Sequence, residues 1–394
     1  MLLSLAPLTV SLAALGFANA QTAPEELSSS LEGYDELSLF RSLLSAAPQA
    51  LSTSLSGKTS NITVIVPTND AITAYLNESK VSDVTELNID DIETFFSYHV
   101  LVASLKASDF GDHTVVPTLL QGEEYNNRSA GPQLEQEFGS KATGQVLIAT
   151  KRTDTSRRTK RQKLSGPTVD VRAGLAQDAE MTAVDGKWGP KNVNTFQIVN
   201  KVLIPPRTCS TTIRGQGDKL GALDSSLNKT ELYPTLDTTP NVTCLAPSTE
   251  AFKKAGNPHQ SLSKADLTGA LLAHTLKQVT YTSFLEDGMV LGTYNDTTVT
   301  VHIKGDDIYF NNAKIIEPNV LTNNGLLHIL DAVIGPEDET SSTSTATASK
   351  TSADSTSAPA STSTSDSSTK DNAASAFSIS YPGAVALAAG LLIF

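Results

Sequence analysis

Histidines and cysteines are the side chains best suited to metal or nucleophilic chemistry, and here their spacing matches no known site. No two histidines form the H-E-x-x-H pattern of zinc proteases, and none clusters with a cysteine. Two cysteines are too few for a four-thiolate zinc site or an iron–sulfur cluster. The sequence therefore predicts no metal site and no cofactor. The six histidines are His99, His113, His259, His274, His302 and His328.

Sequence motifs of common enzyme classes do not occur either. There is no G-x-S-x-G nucleophile elbow, no G-x-x-x-x-G-K-[ST] phosphate loop and no G-x-G-x-x-G after a strand. The 42 acidic residues leave a glycosidase-like carboxylate pair open, but nothing in the sequence singles one out. We predict a protein without catalytic residues. An enzyme acting on wall polysaccharide is the less favoured alternative.

The cysteines, Cys209 and Cys244, lie close together in the second half of the chain. An oxidising secretory environment, indicated by the chain's first residues, favours a disulfide between them. The alternative is a buried free thiol, because Cys244 lies in the apolar run TCLAP.

Both ends of the chain have the composition of targeting signals. Residues 1–20 are apolar and end in Ala18-Asn19-Ala20, which predicts a cleaved signal peptide rather than a membrane anchor. The last residues combine small side chains, a short spacer and an apolar tail, which predicts attachment of a glycosylphosphatidylinositol (GPI) anchor at Asn372, with Ser375 as second choice. A tail-anchored helix is the alternative. Residues 337–371 are rich in Ser and Thr and predict a disordered, O-glycosylated stalk.

Between these ends the chain contains two copies of one pattern. Residues 61–72 and 241–252 share a glycosylation sequon, an apolar β-rich run, a proline and an acidic residue followed by alanine. Two later pairs follow in the same order: 98–101 with 273–276, and 196–203 with 327–334. The predicted organisation is a signal peptide at 1–20, a first module at 21–206, a second at 207–336, a stalk at 337–371, and a GPI-attachment signal with a removed tail at 372–394.

The repeated pattern predicts an α+β module with a β-rich half. In the first copy a buried strand over 63–66 ends at Pro67, and Thr68 or Asn69 caps the following helix. Ser248, Thr249 and Glu250 supply the same chemistry in the second copy. Helices are also predicted over 37–55 and 91–101, strands over 146–150, 299–303 and 308–310, and a hairpin turn at Asp306-Asp307 beside Gly305.

These motifs resemble the fasciclin domain, in two tandem copies over about 310 residues. The resemblance rests on TVIVPTNDAI, on YHVL and on NGLLHILDAVIGP. It implies a compact β-rich wedge with several helices, and extracellular adhesion rather than catalysis. Together with the terminal signals, the organisation is similar to that of fungal and plant fasciclin-like surface glycoproteins.

The resemblance also implies two adhesion segments. The first is Tyr98-His99, which is complete only in the first copy because Ala273 replaces the tyrosine in the second. The second is Glu317-Pro318-Asn319. Structural alternatives exist for both: a buried histidine bonded to the backbone in the first case, and a loop-to-strand turn in the second. His328 is expected to make a structural hydrogen bond, and Gln197 stands at its place in the first copy.

The first copy carries an insertion, predicted at about 120–166 at the tip of a hairpin. It contains a basic cluster: Lys151, Arg152, Arg157, Arg158, Lys160, Arg161 and Lys163. Three interpretations remain open for this cluster: a solvated loop, a contact with polyanions such as acidic glycans or lipid head groups, and a processing site for a protease. The net charge of the whole chain, −13, argues against nucleic acid as a partner.

Glycosylation sequons are spread evenly over both copies, and the secretory signal favours their use on exposed loops. We therefore predict a GPI-anchored surface glycoprotein, active in adhesion to cell-surface, wall or matrix glycans and proteins, at the plasma membrane or in the cell wall. A vacuolar or endomembrane protein in membrane traffic is the alternative. The sequons are Asn61, Asn77, Asn127, Asn228, Asn241 and Asn295.

Overall fold

The computed structural model describes residues 23–46, 48–55, 61–152 and 169–335. The predicted signal peptide, stalk and anchor residue Asn372 lie outside these ranges, as do five of the seven residues of the basic cluster. Both modules belong to one compact unit.

The first module combines helices, most of them before its third strand, with a seven-stranded sheet. Its helices are α1 (Ala23–Ser30), α2 (Ser38–Ala46), α3 (Pro48–Leu55), α4 (Asn69–Ser79), α5 (Ile89–His99) and α6 (Pro132–Phe138). Its strands are β1 (Thr63–Pro67), β2 (Val100–Leu101), β3 (Thr114–Pro117), β4 (Val146–Lys151), β5 (Val169–Arg172), β6 (Asp178–Trp188) and β7 (Asn194–Val199).

The second module repeats this arrangement. Its helices are α7 (Cys209–Gly215), α8 (Gly221–Thr230), α9 (Tyr233–Thr238), α10 (Thr249–Lys254), α11 (Pro258–Ser261) and α12 (Lys264–Ala273). Its strands are β8 (Val242–Pro247), β9 (Thr275–Leu276), β10 (Val290–Gly292), β11 (Thr298–Lys304), β12 (Asp307–Phe310), β13 (Ala313–Thr322) and β14 (Gly325–Leu330).

Strand order confirms that the modules are copies of one fold. The order is β2-β1-β7-β6-β5-β4-β3 in the first sheet and β9-β8-β14-β13-β12-β11-β10 in the second. In each sheet the strand that ends at the repeated proline runs parallel to the closing strand, pairing Val64 with Phe196 and Cys244 with Leu327. The remaining named pairs are antiparallel.

The strand–proline–helix signature folds as its residues predict. β1 ends at Pro67, and the Thr68 hydroxyl accepts a hydrogen bond from the Ala71 N–H at 3.3 Å. In the second module the Ser248 hydroxyl accepts from the Ala251 N–H at 3.2 Å. Each cap satisfies one of the free N–H groups of the first helical turn.

Several predicted boundaries shift for identifiable reasons. The helix predicted over 37–55 divides into α2 and α3, because Pro48 begins a new helix rather than continuing the old one. The helix predicted over 91–101 ends at His99, and Val100–Leu101 pairs with β1 instead. The turn between β11 and β12 is formed by Gly305 and Asp306, with Gly305 at φ 64°.

Both faces of the central strands are buried, which divides each module into two apolar layers. Val64 and Val66 of β1 pack against the helices with Phe96, whereas Ile65 packs on the opposite face with Tyr98. The same alternation places Cys244 with the helices of the second module and Leu245 on its other face. A further cluster contains side chains from both modules, so the two copies share part of their core.

The extra residues of the first module occupy two connections rather than one hairpin tip. The β3–β4 connection covers 118–145, whereas its counterpart between β10 and β11 covers only 293–297. The β4–β5 connection covers 152–168, against two residues between β11 and β12. Strand β4 separates the two insertions, so the predicted single insertion is wrong in this respect. Of the basic cluster, the structure describes Lys151 and Arg152.

Candidate functional site

Tyr98 and His99 are inside the first module, and their predicted role as an adhesion contact is corrected. Both side chains are 0% exposed. The Tyr98 hydroxyl donates to the Val146 carbonyl at 3.2 Å. His99 Nδ1 donates to the Phe95 carbonyl at 2.8 Å, and its Nε2 accepts from the Leu203 N–H at 3.0 Å. The pair therefore joins α5 to the sheet and to the chain after β7, and a partner cannot reach it.

His274 makes the same bonds in the second module, as the structural alternative predicts. Its Nδ1 lies 2.8 Å from the Ala270 carbonyl, and its Nε2 accepts from the Ile334 N–H at 2.9 Å. Because one ring nitrogen donates and the other accepts, each imidazole must be neutral. Burial lowers the pKa of His99 to about 4 and also lowers the pKa of His274.

His328 is a third buried imidazole, which confirms its predicted structural hydrogen bond. Nε2 donates to the Thr280 carbonyl at 2.8 Å and Nδ1 accepts from the Asn319 N–H at 3.2 Å. Burial lowers the pKa of His328 to about 4. In the first module Gln197 takes this place, accepting from the Val184 N–H at 3.0 Å.

The segment Glu317-Pro318-Asn319 lies in a bulged part of β13, at the contact between the modules. The pairing register shifts on both sides of Glu317, and Asn319 has φ 55°. Asn319 is 1% exposed and bonds Thr282 through both side-chain atoms. The predicted adhesion role of Asn319 is therefore corrected, and Glu317 and Pro318 are half-buried in the same contact.

Arg172 of β5 connects the first module to that bulge. Its Nε and Nη2 donate to the two carboxylate oxygens of Asp178 at 2.8 and 2.9 Å. Its Nη1 donates to the Pro318 carbonyl at 2.6 Å and lies 3.8 Å from Glu317 Oε1. Glu317 is held from the other side by Lys219, at 2.6 Å. The guanidinium that is held by Asp178 in the first module thus also bonds the second module through Nη1.

The 118–145 segment makes most of the other polar bonds between the modules. The Asn127 N–H donates to the Asn323 carbonyl at 2.7 Å, and the Ser129 N–H donates to Asn241 Oδ1 at 2.7 Å. Gln145 Nε2 donates to the Thr322 carbonyl at 3.2 Å. One of the two insertions therefore fastens the modules together.

Apolar side chains fill the contact behind these bonds. Val146 and Ile148 of β4, with Leu134 of α6, pack in one cluster with residues of the second module. Those partners are Tyr281, Leu321 and Leu326. Neither Arg172 nor Tyr281 is marked by a sequence motif, because the short alternating strand around Arg172 is typical of any half-buried strand.

Replacing Arg172 by methionine is expected to weaken docking of the modules by about 2–3 kcal/mol, because Asp178 and Glu317 lose their shared cation. In differential scanning calorimetry the single unfolding transition of the pair should broaden or split in two. Arg214→Met is the matched control, since Arg214 pairs with Asp224 inside the second module and is 53% exposed. A transition unchanged in Arg172→Met would contradict the assigned role.

A cavity of about 200 Å³ with a mixed polar and apolar lining opens beside Arg172. The first module contributes His113, Thr150, Asp170 and Asp178 to its wall, and the second contributes Pro318. The contact therefore contains, besides its structural bonds, a space lined by groups able to exchange hydrogen bonds.

The model of the family described as "Fasciclin domain" matches residues 35–151 and 219–336. The chain belongs to the fasciclin domain family. The match ends at Lys151 in the first module, where the second insertion begins, yet β5–β7 complete the same strand order beyond it. No catalytic family is indicated by this match.

The chain is also similar to one curated protein and to one solved structure. A protein named "Fasciclin-like arabinogalactan protein" from Arthroderma benhamiae is 23% identical over 324 residues, which cover 81% of this chain and 69% of the relative. The solved structure of a FAS1 domain pair from the insect cell adhesion molecule Fasciclin I is 14% identical. It covers 76% of this chain and 97% of the insect chain, with a TM-score of 0.34.

The structure describes the cysteines of the second fasciclin module as free thiols, so the predicted disulfide is not confirmed. Cys209 begins α7 and Cys244 lies in β8, and both are buried. A hydrogen bond with Cys244 and burial raise the pKa of the Cys209 thiol. Because oxidation proceeds through the thiolate, an apolar core that holds the thiol protonated also slows disulfide formation. The two thiols pack as small apolar side chains.

The six predicted sequons divide into two groups. Asn61, Asn77, Asn228 and Asn295 are exposed. Asn127 and Asn241 are half-buried and lie in the contact between the fasciclin modules, where Ser129 of the first sequon bonds Asn241.

Two further properties concern the described part of the chain. Within residues 23–335, apart from the three undescribed gaps, no group of three or more His, Cys, Asp or Glu side chains is placed to hold a metal ion. Among the described helices, none has the length and apolarity needed to cross a membrane.

Proposed function

We propose that this fasciclin protein is a cell-surface glycoprotein that mediates adhesion or contact with the wall or matrix, held on the membrane by a GPI anchor at Asn372 and without catalytic activity. The observation that carries the proposal is the pair of fasciclin modules docked into one unit. The predicted signals at the two ends of the chain support the surface location and the anchor. The insect protein is itself named as a cell adhesion molecule.

Docking supports an adhesive mechanism built on many weak contacts. The Arg172 guanidinium and the 118–145 segment fix the outer faces of both modules relative to each other. Because the two modules are already fixed relative to each other, they can bind one extended partner together. Less conformational entropy of the protein is then lost on binding than for two modules that move independently. Many tethered copies in one membrane multiply weak affinities.

The proposed partners are glycans and proteins of the cell surface, wall or matrix. A second, electrostatic contact with polyanions is proposed for the basic cluster around Lys151 and Arg152. Arg152 itself is bonded to Asp170 at 2.9 Å, so it serves as the structured base of this cluster rather than as a free cation.

Treating intact cells with phosphatidylinositol-specific phospholipase C is expected to release the protein and, with it, adhesion to surfaces coated with wall or matrix glycans. The physical reason is that a lipid is the proposed connection to the membrane. Release is followed with a tag inserted after Ala20. A chain truncated after residue 380 lacks the apolar tail and should appear in the medium.

A known GPI-anchored protein of the same cells controls for enzyme access. Retention of the tagged protein while the control is released would exclude the anchor. Tag signal confined to the vacuole would favour the endomembrane alternative, and unchanged adhesion after complete release would exclude the adhesive role.

A further inference from the structure

The cavity beside Arg172 exists only because the two modules are docked. The first module lines it with side chains from β4, β5, β6 and the turn before β3: Thr150, Asp170, Asp178 and His113. The second module lines it with Pro318, from the bulge of β13. Its volume of about 200 Å³ is below the roughly 300–1,000 Å³ of pockets for drug-sized ligands. It therefore fits one small ring and not an extended chain.

Charges in and around the cavity cancel in pairs. Asp178 accepts two hydrogen bonds from Arg172, at 2.8 and 2.9 Å. Asp170 accepts two from Arg152, at 2.9 and 2.5 Å. Partial burial lowers the pKa of His113; the charge of Arg172 acts in the same direction and that of Asp112 opposes it, so this imidazole is less readily protonated than a free one. Because these charges are paired, a charged ligand gains little net Coulomb attraction here, and a neutral ligand is at no electrostatic disadvantage.

The same groups retain free hydrogen-bonding capacity. Each carboxylate oxygen has two acceptor sites, so Asp170 and Asp178 can accept from ligand hydroxyls while their arginines stay bonded. His113 Nε2 is 3.7 Å from Asp112, beyond hydrogen-bond distance, and Thr150 Oγ1 bonds His113 Nδ1 at 3.1 Å. Ile148 and Pro318 add apolar surface. Clustered acceptors, a few donors and an apolar wall suit a polyhydroxyl ring.

We propose that this cavity binds a single neutral sugar residue of a wall or matrix glycan, at the junction of the two modules. The proposal deepens the proposed function and rests on it, since it names the class of ligand that the adhesion protein would hold. Asp170 and Asp178 accept hydrogen bonds from sugar hydroxyls, Thr150 and His113 complete the polar wall, and Pro318 of the second module makes the site dependent on docking.

The test titrates the full mature protein, purified in detergent, with trisaccharides, using isothermal titration and saturation-transfer NMR. Neutral probes are the trimers of glucose, galactose, mannose and N-acetylglucosamine; trigalacturonate and the glucosamine trimer are the anionic and cationic probes. We expect saturable, millimolar binding of at least one neutral trimer, and weaker binding of both charged ones.

Two variants localise the binding. Thr150→Val removes one hydroxyl and leaves both ion pairs intact, and Asp178→Asn removes one carboxylate; each should weaken binding about tenfold. Asp296→Asn is the matched control, because Asp296 pairs with Lys277 on the surface of the second module. Melting curves verify that each variant is folded. If Asp178→Asn weakens the docking of the modules, the sugar affinity of Thr150→Val alone decides the test.

Three results would each overturn the site. They are no binding of any neutral trimer, tighter binding of a charged trimer, and equal sugar affinity of the Thr150→Val and Asp296→Asn variants. The cell adhesion assay distinguishes a failure of this site from a failure of the proposed function. Adhesion that persists in Thr150→Val cells while sugar binding is lost places adhesion elsewhere on the protein, and loss of adhesion together with sugar binding supports the site.

Discussion

Lowering the pH from 7 to 5 is expected to reduce the free energy of unfolding by about 2 kcal/mol for each of His99 and His328, and by about 3 kcal/mol each near pH 4. Both imidazoles are 0% exposed, and burial lowers the pKa of each to about 4. The ordinary value in the unfolded chain is about 6.5.

The direction follows from proton binding. Between pH 6.5 and 4 the unfolded chain binds protons at these two histidines and the folded chain does not, so acid favours unfolding. Above pH 6.5 neither state binds them, and their contribution to stability is fully present. His274, whose pKa is also lowered by burial, adds a loss in the same direction. Against a typical total of about 5–15 kcal/mol, these losses bring the protein close to unfolding near pH 4.

The variant His328→Gln isolates one of these contributions. Glutamine can accept from Asn319 and donate to Thr280 without titrating, as Gln197 bonds the backbone at the matched position of the first module. Urea unfolding followed by circular dichroism at pH 7.5 and pH 5 should show about 2 kcal/mol less acid destabilisation in the variant. Parallel pH dependence of variant and parent protein would contradict the assignment.

Replacing Gly325 by alanine is expected to cost at least about 3 kcal/mol, or to prevent folding of the second module. Gly325 begins β14, in the central parallel pair with β8. A Cβ atom there would lie 1.8 Å from the Val242 carbonyl oxygen. Backbone on both strands would have to move, and buried β-strands in a packed sheet have little room to do so.

Urea unfolding and the amount of folded protein recovered measure this effect together. Gly215→Ala is the control, because a Cβ at the end of α7 meets no atom within 4 Å. Normal stability and yield of Gly325→Ala would show that the β8–β14 pair tolerates a shift of its backbone.

Local elements could be predicted wherever a single residue type enforces them. Pro67 and Pro247 end their strands because proline cannot donate to the ladder, and Thr68 and Ser248 cap the helices that follow. The repeated order of these signals was enough to identify two copies of one module. The helix break at Pro48 could also have been predicted from the proline, although the helical spacing of apolar residues continues across it.

Burial and contact could not be read in the same way. Tyr98, His99 and Asn319 have the chemistry of contact residues, but each is enclosed by segments distant in sequence, such as Leu203 for His99. The predicted disulfide is not confirmed for a related reason: two cysteines that are close in sequence reveal nothing of the apolar core that surrounds them.

The sequence by itself determined the module, its duplication and the absence of known catalytic and metal-site motifs, because periodicity, proline and capping residues act over a few neighbouring positions. Only the tertiary structure decided that the 118–145 insertion fastens the modules and that Arg172 meets Pro318, enclosing a cavity between them. Such contacts join residues more than a hundred positions apart. They depend on how two finished modules pack, which no local pattern encodes.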